Sequence, residues 1–129
     1  VKLRIQRNSL RLRLSRTELS RLEREGLLEE TIYFGPSSES QLTYALAWDR
    51  SVTRLEVQYS PQRVTVWLPR ETAARWFHTS KVGIDGEVDL GARGTLSVLV
   101  EKDFACLDRS PEENADTFPN PLAAIACRP

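Results

Sequence analysis

The sequence has no methionine, one histidine (His78), two cysteines (Cys106 and Cys127) and no excess charge, with 18 Lys+Arg against 18 Asp+Glu in 129 residues. Each shortage excludes something. No run approaches the roughly 20 consecutive apolar residues of a membrane-spanning helix. The opening VKLRIQRNSLRLRL alternates aliphatic and charged residues instead of forming the apolar block of a signal peptide. Two cysteines are too few for a disulfide framework. With one histidine, any Ser-His-Asp or Cys-His centre must use His78, yet no nucleophile elbow or catalytic-cysteine signature accompanies it. The chain also lacks a Gly-rich phosphate loop, an H-E-x-x-H and a C-x-x-C. The expectation is one soluble, cytoplasmic, non-enzymatic domain without metal or cofactor, monomeric or homodimeric. A chain of this length buries about two-thirds of its unfolded surface and needs no staples.

The neutral total conceals an asymmetry. Residues 1–25 carry eight basic against three acidic side chains, a net +5, whereas residues 85–116 carry three basic against nine acidic, a net −6. Either the two segments face each other in the fold, or the basic one meets an anionic partner.

Period-2 alternation marks strands at Leu3/Ile5 and Leu10/Leu12/Leu14, joined by a tight Arg7-Asn8-Ser9 turn. Ser15 stands three residues before Glu18, a capping box that starts a helix over 16–25 with Leu19 and Leu22 inward and Gly26 at its end. Strands are expected at 30–34 and 42–48, separated by the breaker-rich GPSSES. A shift of 54 residues places Leu10, Leu12, Leu14, Arg16 and Leu22 on Val64, Val66, Leu68, Arg70 and Trp76. Farther on it places Leu42, Tyr44 and Leu46 on Leu96, Val98 and Val100. The first strand fits only at a shift of 52, Leu3 on Leu55 and Ile5 on Val57, which puts two extra residues in the second copy's Ser60–Arg63 turn. The chain therefore reads as one domain, 1–129: repeat 1 at about 1–50, repeat 2 at about 53–104, and a C-terminal strap over 105–129. Two ββαββ units with too few strands to enclose a core singly can close together into one small barrel. The expected class is α+β, mostly β, with short helices and an irregular strap.

The segment Asn8-Ser9-Leu10-Arg11-Leu12-Arg13-Leu14-Ser15-Arg16, preceded by Lys2-Leu3-Arg4-Ile5-Gln6, resembles the AbrB/MazE group of bacterial transition-state regulators and antitoxins, whose motif runs roughly N-S-x-x-x-R-[IL]-P-[KR]. Asn8, Ser9, Arg13, Leu14 and Arg16 match, with Ser15 in place of the proline. The second copy keeps Pro69 and Arg70 but has Trp67 where the arginine stands and lacks the Asn-Ser pair, and Gly83-Ile84-Asp85-Gly86-Glu87-Val88 is similar to the family's post-helix turn. The resemblance implies a swapped-hairpin barrel, formed there from two chains and here from one, and DNA contact through the basic N-terminal turn. The whole chain, with FACL at 104–107 and DTFPNP at 116–121, also resembles a bacterial family of uncharacterised domains.

Alternation points Lys2, Arg4, Arg11 and Arg13 away from the core, a basic ribbon. With Arg7, Asn8 and Ser9 of the turn they are the candidate contact residues for nucleic acid or another anion. The alternative is a protein- or small-ligand-interaction domain without nucleic-acid binding. His78 is placed to interact with the end of the second helix. Cys106 and Cys127 admit three readings: buried thiols, a disulfide closing the tail, or metal ligands. A short helix is expected at 122–126. Phe118, before Pro119, is expected to anchor the strap. Trp48 and Trp76 are expected to pack inside or at an end of the barrel, whereas Trp67 falls on the outer face.

Overall fold

A computed structural model describes residues 1–49, 51–105 and 110–119. Cys106, Cys127 and the expected helix at 122–126 lie outside the described residues. Ten main elements follow in the order β1 (Lys2–Gln6), β2 (Ser9–Leu14), α1 (Arg16–Glu25), β3 (Leu27–Tyr33), β4 (Gln41–Trp48), β5 (Glu56–Ser60), β6 (Arg63–Leu68), α2 (Arg70–His78), β7 (Gly83–Asp89) and β8 (Thr95–Lys102), with a single 3-10 turn, Gly91–Arg93, before β8. The fold is α+β and mostly β. No helix among the described residues is long and apolar enough to cross a membrane.

The strands form two four-stranded sheets, ordered β1-β2-β8-β7 in the first and β3-β4-β6-β5 in the second. Each sheet is two antiparallel hairpins joined by a parallel central pair, β2 with β8 and β4 with β6. The second sheet uses one contiguous stretch, residues 27–68, whereas the first joins residues 2–14 to residues 83–102.

A closed barrel does not form. At one corner, between β1 and β3, the amino group of Val1 pairs with Glu18 and Glu30, and the Tyr44 hydroxyl donates to the Val1 carbonyl at 3.3 Å. At the other, between β5 and β7, the side chain of Leu55 lies against Gly86. Both corners are side-chain contacts with no backbone ladder, so the sheets remain separate. Alternation specifies which residues face inward, but it does not specify which edges pair.

The two sheets share a register. Leu12 faces Val100 in the first and Leu46 faces Val66 in the second. Lys2 faces Arg13 in the first and Glu56 faces Trp67 in the second. A shift of 54 residues converts one pair into the other in both cases. Leu3 therefore corresponds to Val57 and Ile5 to Tyr59, and the second hairpin does not carry the expected two-residue insertion. The extra residues fall between α2 and β7, where Leu28 facing Leu46 corresponds to Ile84 facing Val100. The turns of these hairpins each place one non-glycine residue at positive φ, Arg7 at 51° and Gln62 at 70°.

Helix α1 starts as its sequence dictates: Ser15 Oγ accepts from the Glu18 amide, and the Glu18 carboxylate accepts from the Ser15 amide. Gly26, at φ 77°, ends it in the left-handed conformation that costs glycine least. The chain enters β3 at once, so this strand begins at Leu27 and buries Leu28, earlier than the expected 30–34. Between the sheets and the helices lies a core of Leu12, Leu14, Leu22, Leu28, Leu46, Val66, Leu68, Trp76, Ile84 and Val100, each at most 3% exposed. Each such side chain contributes about 1.5–3 kcal/mol by leaving water.

Both helix ends are satisfied by the strands they cover. Trp48 Nε1 donates to the Leu22 carbonyl at 2.7 Å. At the corresponding place Lys102 Nζ donates to the Thr79 carbonyl at 2.7 Å, beneath the ring of Phe118. Burial of Lys102 lowers its pKa. Trp76 is fully buried, and Trp67 is half-buried on the outer face, donating to Gln58 at 3.1 Å.

Phe118 anchors the described part of the strap, residues 110–119. Its amide donates to the Asp103 carbonyl, its carbonyl accepts from the Ala105 amide, and its ring meets Phe104 edge-on. The strap then reaches the start of α1, where the Arg16 amide donates to the Asp116 carbonyl at 3.0 Å. The segment between β4 and β5 does the same for α2, through the Arg70 amide and the Val52 carbonyl. Burial pushes the Asp116 carboxyl up, but hydrogen bonds from Thr17 and Ser15 and the charge of Arg16 outweigh it and hold the group below its ordinary 3.8.

Candidate functional site

The basic ribbon is real as a placement but is largely neutralised. Lys2, Arg4, Arg11 and Arg13 all lie on the outer face of the first sheet, because Leu3, Leu12 and Leu14 take the inner one. The parallel pairing of β2 with β8 sets Arg13 opposite Glu101. Glu101 Oε1 then accepts from Arg11 Nε at 2.7 Å and from Arg13 Nε at 2.8 Å, and Lys2 Nζ pairs with Asp103 at 2.8 Å. These two acids belong to the acidic C-terminal segment, so the segments of opposite charge meet within one sheet.

The turn residues serve the hairpin. Asn8 donates from Nδ2 to the Thr95 carbonyl at 2.7 Å, tying the turn to the start of β8, and Ser9 donates to the Gln6 carbonyl at 2.6 Å. Arg7 is exposed in the turn itself. His78 pairs with Glu23 across the helices and is not part of any cluster on the sheets. Among the described residues no group of three His, Cys, Asp or Glu side chains is arranged to hold a metal ion.

Two rows of side chains cross the outer face of the first sheet beyond the Glu101 cluster. One reads Arg4, Arg11, Leu99, Asp85 from edge to edge, and the next reads Gln6, Ser9, Ser97, Glu87. They line a groove of about 510 Å³. One wall is cationic, Arg4 with Arg11, and the other is anionic, Asp85 with Glu87. Ser9, Ser97 and Leu99 lie between. Arg4, Asp85 and Glu87 are exposed, and none has a hydrogen-bonding or ionic partner among the described residues. Glu101 holds the Arg11 head in place from one side.

Sequence reasoning found Arg4, Arg11 and Ser9 but did not join them to Asp85, Glu87, Ser97 and Leu99. The signal was present in GIDGEVDL: with Ile84 buried and Val88 partly so, alternation sends Asp85 and Glu87 to the opposite face. Missing was the pairing of the last hairpin with the first, separated by most of the chain.

The model of a family of unknown function, DUF7009, matches residues 1–122. The chain belongs to that family. No curated protein and no solved structure matches it. The match extends past β8, so the DUF7009 unit includes the described strap as well as both sheets. Groove and strap thus fall within one family unit.

Proposed function

We propose that this DUF7009 chain is a non-enzymatic binding domain whose contact face is the groove on the outer side of the first sheet, and that its ligand is a small charged molecule. The observation that carries this reading is the pair of unmatched walls: Arg4 on one edge strand, Asp85 and Glu87 on the other, with no partner of their own among the described residues. Charges left without partners across a groove can be spent on a ligand without first breaking a bond. The volume of about 510 Å³ lies within the usual range of small-molecule sites.

The N-terminal ribbon suits a nucleic acid less well. Lys2, Arg11 and Arg13 are matched by Glu101 and Asp103, and a phosphate backbone on this face would approach Asp85 and Glu87. The exposed Arg4 and Arg7 keep that reading open to test. Amide chemical shifts followed while adding sodium phosphate, spermidine or triglycine are expected to move first in the rows of Arg4 and Gln6. Random duplex DNA is expected to cause no salt-sensitive shift. Binding of DNA that weakens steeply with salt would replace this reading with the nucleic-acid one.

We also infer that the two halves descend from one duplicated ββαββ unit with exchanged hairpins. Its support is the common register, in which a shift of 54 residues maps Leu12–Val100 onto Val66–Leu46.

A further inference from the structure

Resting on the groove reading above, we propose that the ligand is a short peptide with both termini free, lying across the strands with its carboxylate at Arg4 and its ammonium at Asp85 and Glu87. The groove separates its charges by sign, and this is the feature a single-charge ligand leaves unused. A plain anion would satisfy Arg4 and leave two exposed carboxylates beside it, and a plain cation would do the reverse. Only a molecule carrying both charges at its ends matches both walls at once.

The spacing sets the length. Arg4 and Asp85 share a row with two strands between them, so their Cα atoms lie about 14 Å apart at the usual strand separation of about 4.8 Å. With both side chains standing upright from the sheet, as strand side chains do, their heads keep that separation, and a hydrogen bond of about 2.9 Å at each end leaves about 8 Å between the ligand's terminal groups. That is the reach of two to three residues at about 3.3 Å each. A single amino acid is too short to touch both walls, and a long chain would place one terminus beyond the sheet. The floor suits backbone better than bulk: the Ser97 hydroxyl can donate to or accept from a peptide group, and Leu99 offers a small apolar seat. Arginine's planar fork favours a carboxylate over other acceptors.

The test compares triglycine, N-acetyl-triglycine and triglycine amide by calorimetry and by amide shifts on the full chain. Triglycine is expected to bind best, and loss of either terminal charge is expected to lower affinity about tenfold. Arg4→Gln is expected to erase the difference between triglycine and its amide. The double change Asp85→Asn and Glu87→Gln is expected to erase the difference between triglycine and its acetylated form. All three side chains are exposed and without partners among the described residues, so the variants are expected to fold, which circular dichroism checks. If N-acetyl-triglycine binds as tightly as triglycine, the ammonium is not recognised and the peptide proposal fails, while the groove reading stands. If no form of triglycine, nor phosphate, nor spermidine moves the groove resonances, both fail together.

Discussion

The outer faces of the two sheets share a register and differ in nearly every side chain. Where the first carries Arg4, Arg11, Leu99 and Asp85, the second carries Gln58, Thr65, Ala45 and Glu29. On the second sheet Ala45, Ala47 and Thr65 are buried on the outer side, tucked between larger neighbours. There Arg63 is matched by Glu29 at 2.8 Å, and Thr31 and Thr43 share a hydrogen bond of 2.7 Å. One backbone frame thus supports a closed, small-residue surface on one side and an open, charged groove on the other. The inner faces differ far less, because both must fill the same space. The contrast separates what the fold requires from what it leaves available for binding.

The strongest way to break the comparison is in the core, where the halves should behave alike. Trp76→Ala is expected to cost about 3–5 kcal/mol, and Leu22→Ala at the corresponding position about 2–5 kcal/mol, in urea unfolding. A negligible loss at either place would mean that the helices do not share one core. Next comes Gly83, whose counterpart is Leu27. A Cβ there would sit 2.6 Å from the Val100 carbonyl oxygen, so Gly83→Ala is expected to destabilise by about 1–3 kcal/mol, whereas Leu27→Ala, at a partly exposed site, should cost well under that. Both are read from the same denaturation curves.

Glu101→Gln tests the neutralised ribbon. Arg11 and Arg13 lose their shared carboxylate, with an expected cost of about 1–2 kcal/mol, and the variant should gain weak, salt-sensitive affinity for duplex DNA in a filter or fluorescence assay. At the counterpart, Ala47, no charge is available to remove. The smallest effect concerns the strap, whose described residues meet both 103–105 and the start of α1. The Asp116 carboxyl is held below 3.8 in the folded chain, so its contribution is fully present above the unfolded value and is lost as pH falls through the folded one. Asp116→Asn should therefore lower the melting temperature at neutral pH and make no difference at strongly acid pH.

Much of this was legible beforehand. Helix α1 runs over 16–25 as the Ser15–Glu18 box and Gly26 dictate, because capping is chemistry between neighbours. The strand faces were legible for a similar reason, since alternation needs no knowledge of distant residues. What failed depends on remote geometry: whether β1 bonds to β3, and where two extra residues are absorbed. Tyr59 resembles a core residue poorly, so aliphatic alternation aligns Ile5 with Val57 instead, although the hairpin register pairs Ile5's position with Tyr59. The candidate site divides in the same way. Its basic wall is written in one short segment of sequence, but the acidic wall, Asp85 and Glu87, joins it only through β8.

That joining has a temporal side. The second sheet can assemble as soon as residues 27–68 are available, but Ser9 must wait for Ser97 before the first can close. Contacts so far apart in sequence form slowly, since a long loop must be closed before they repay its entropy. On a ribosome the first hairpin is made first and finished last. Until β8 emerges, Leu10, Leu12 and Leu14 have no neighbouring strand on one side, and the groove does not exist. Binding competence should therefore appear only with the final refolding phase, after the β signal of the second sheet has returned.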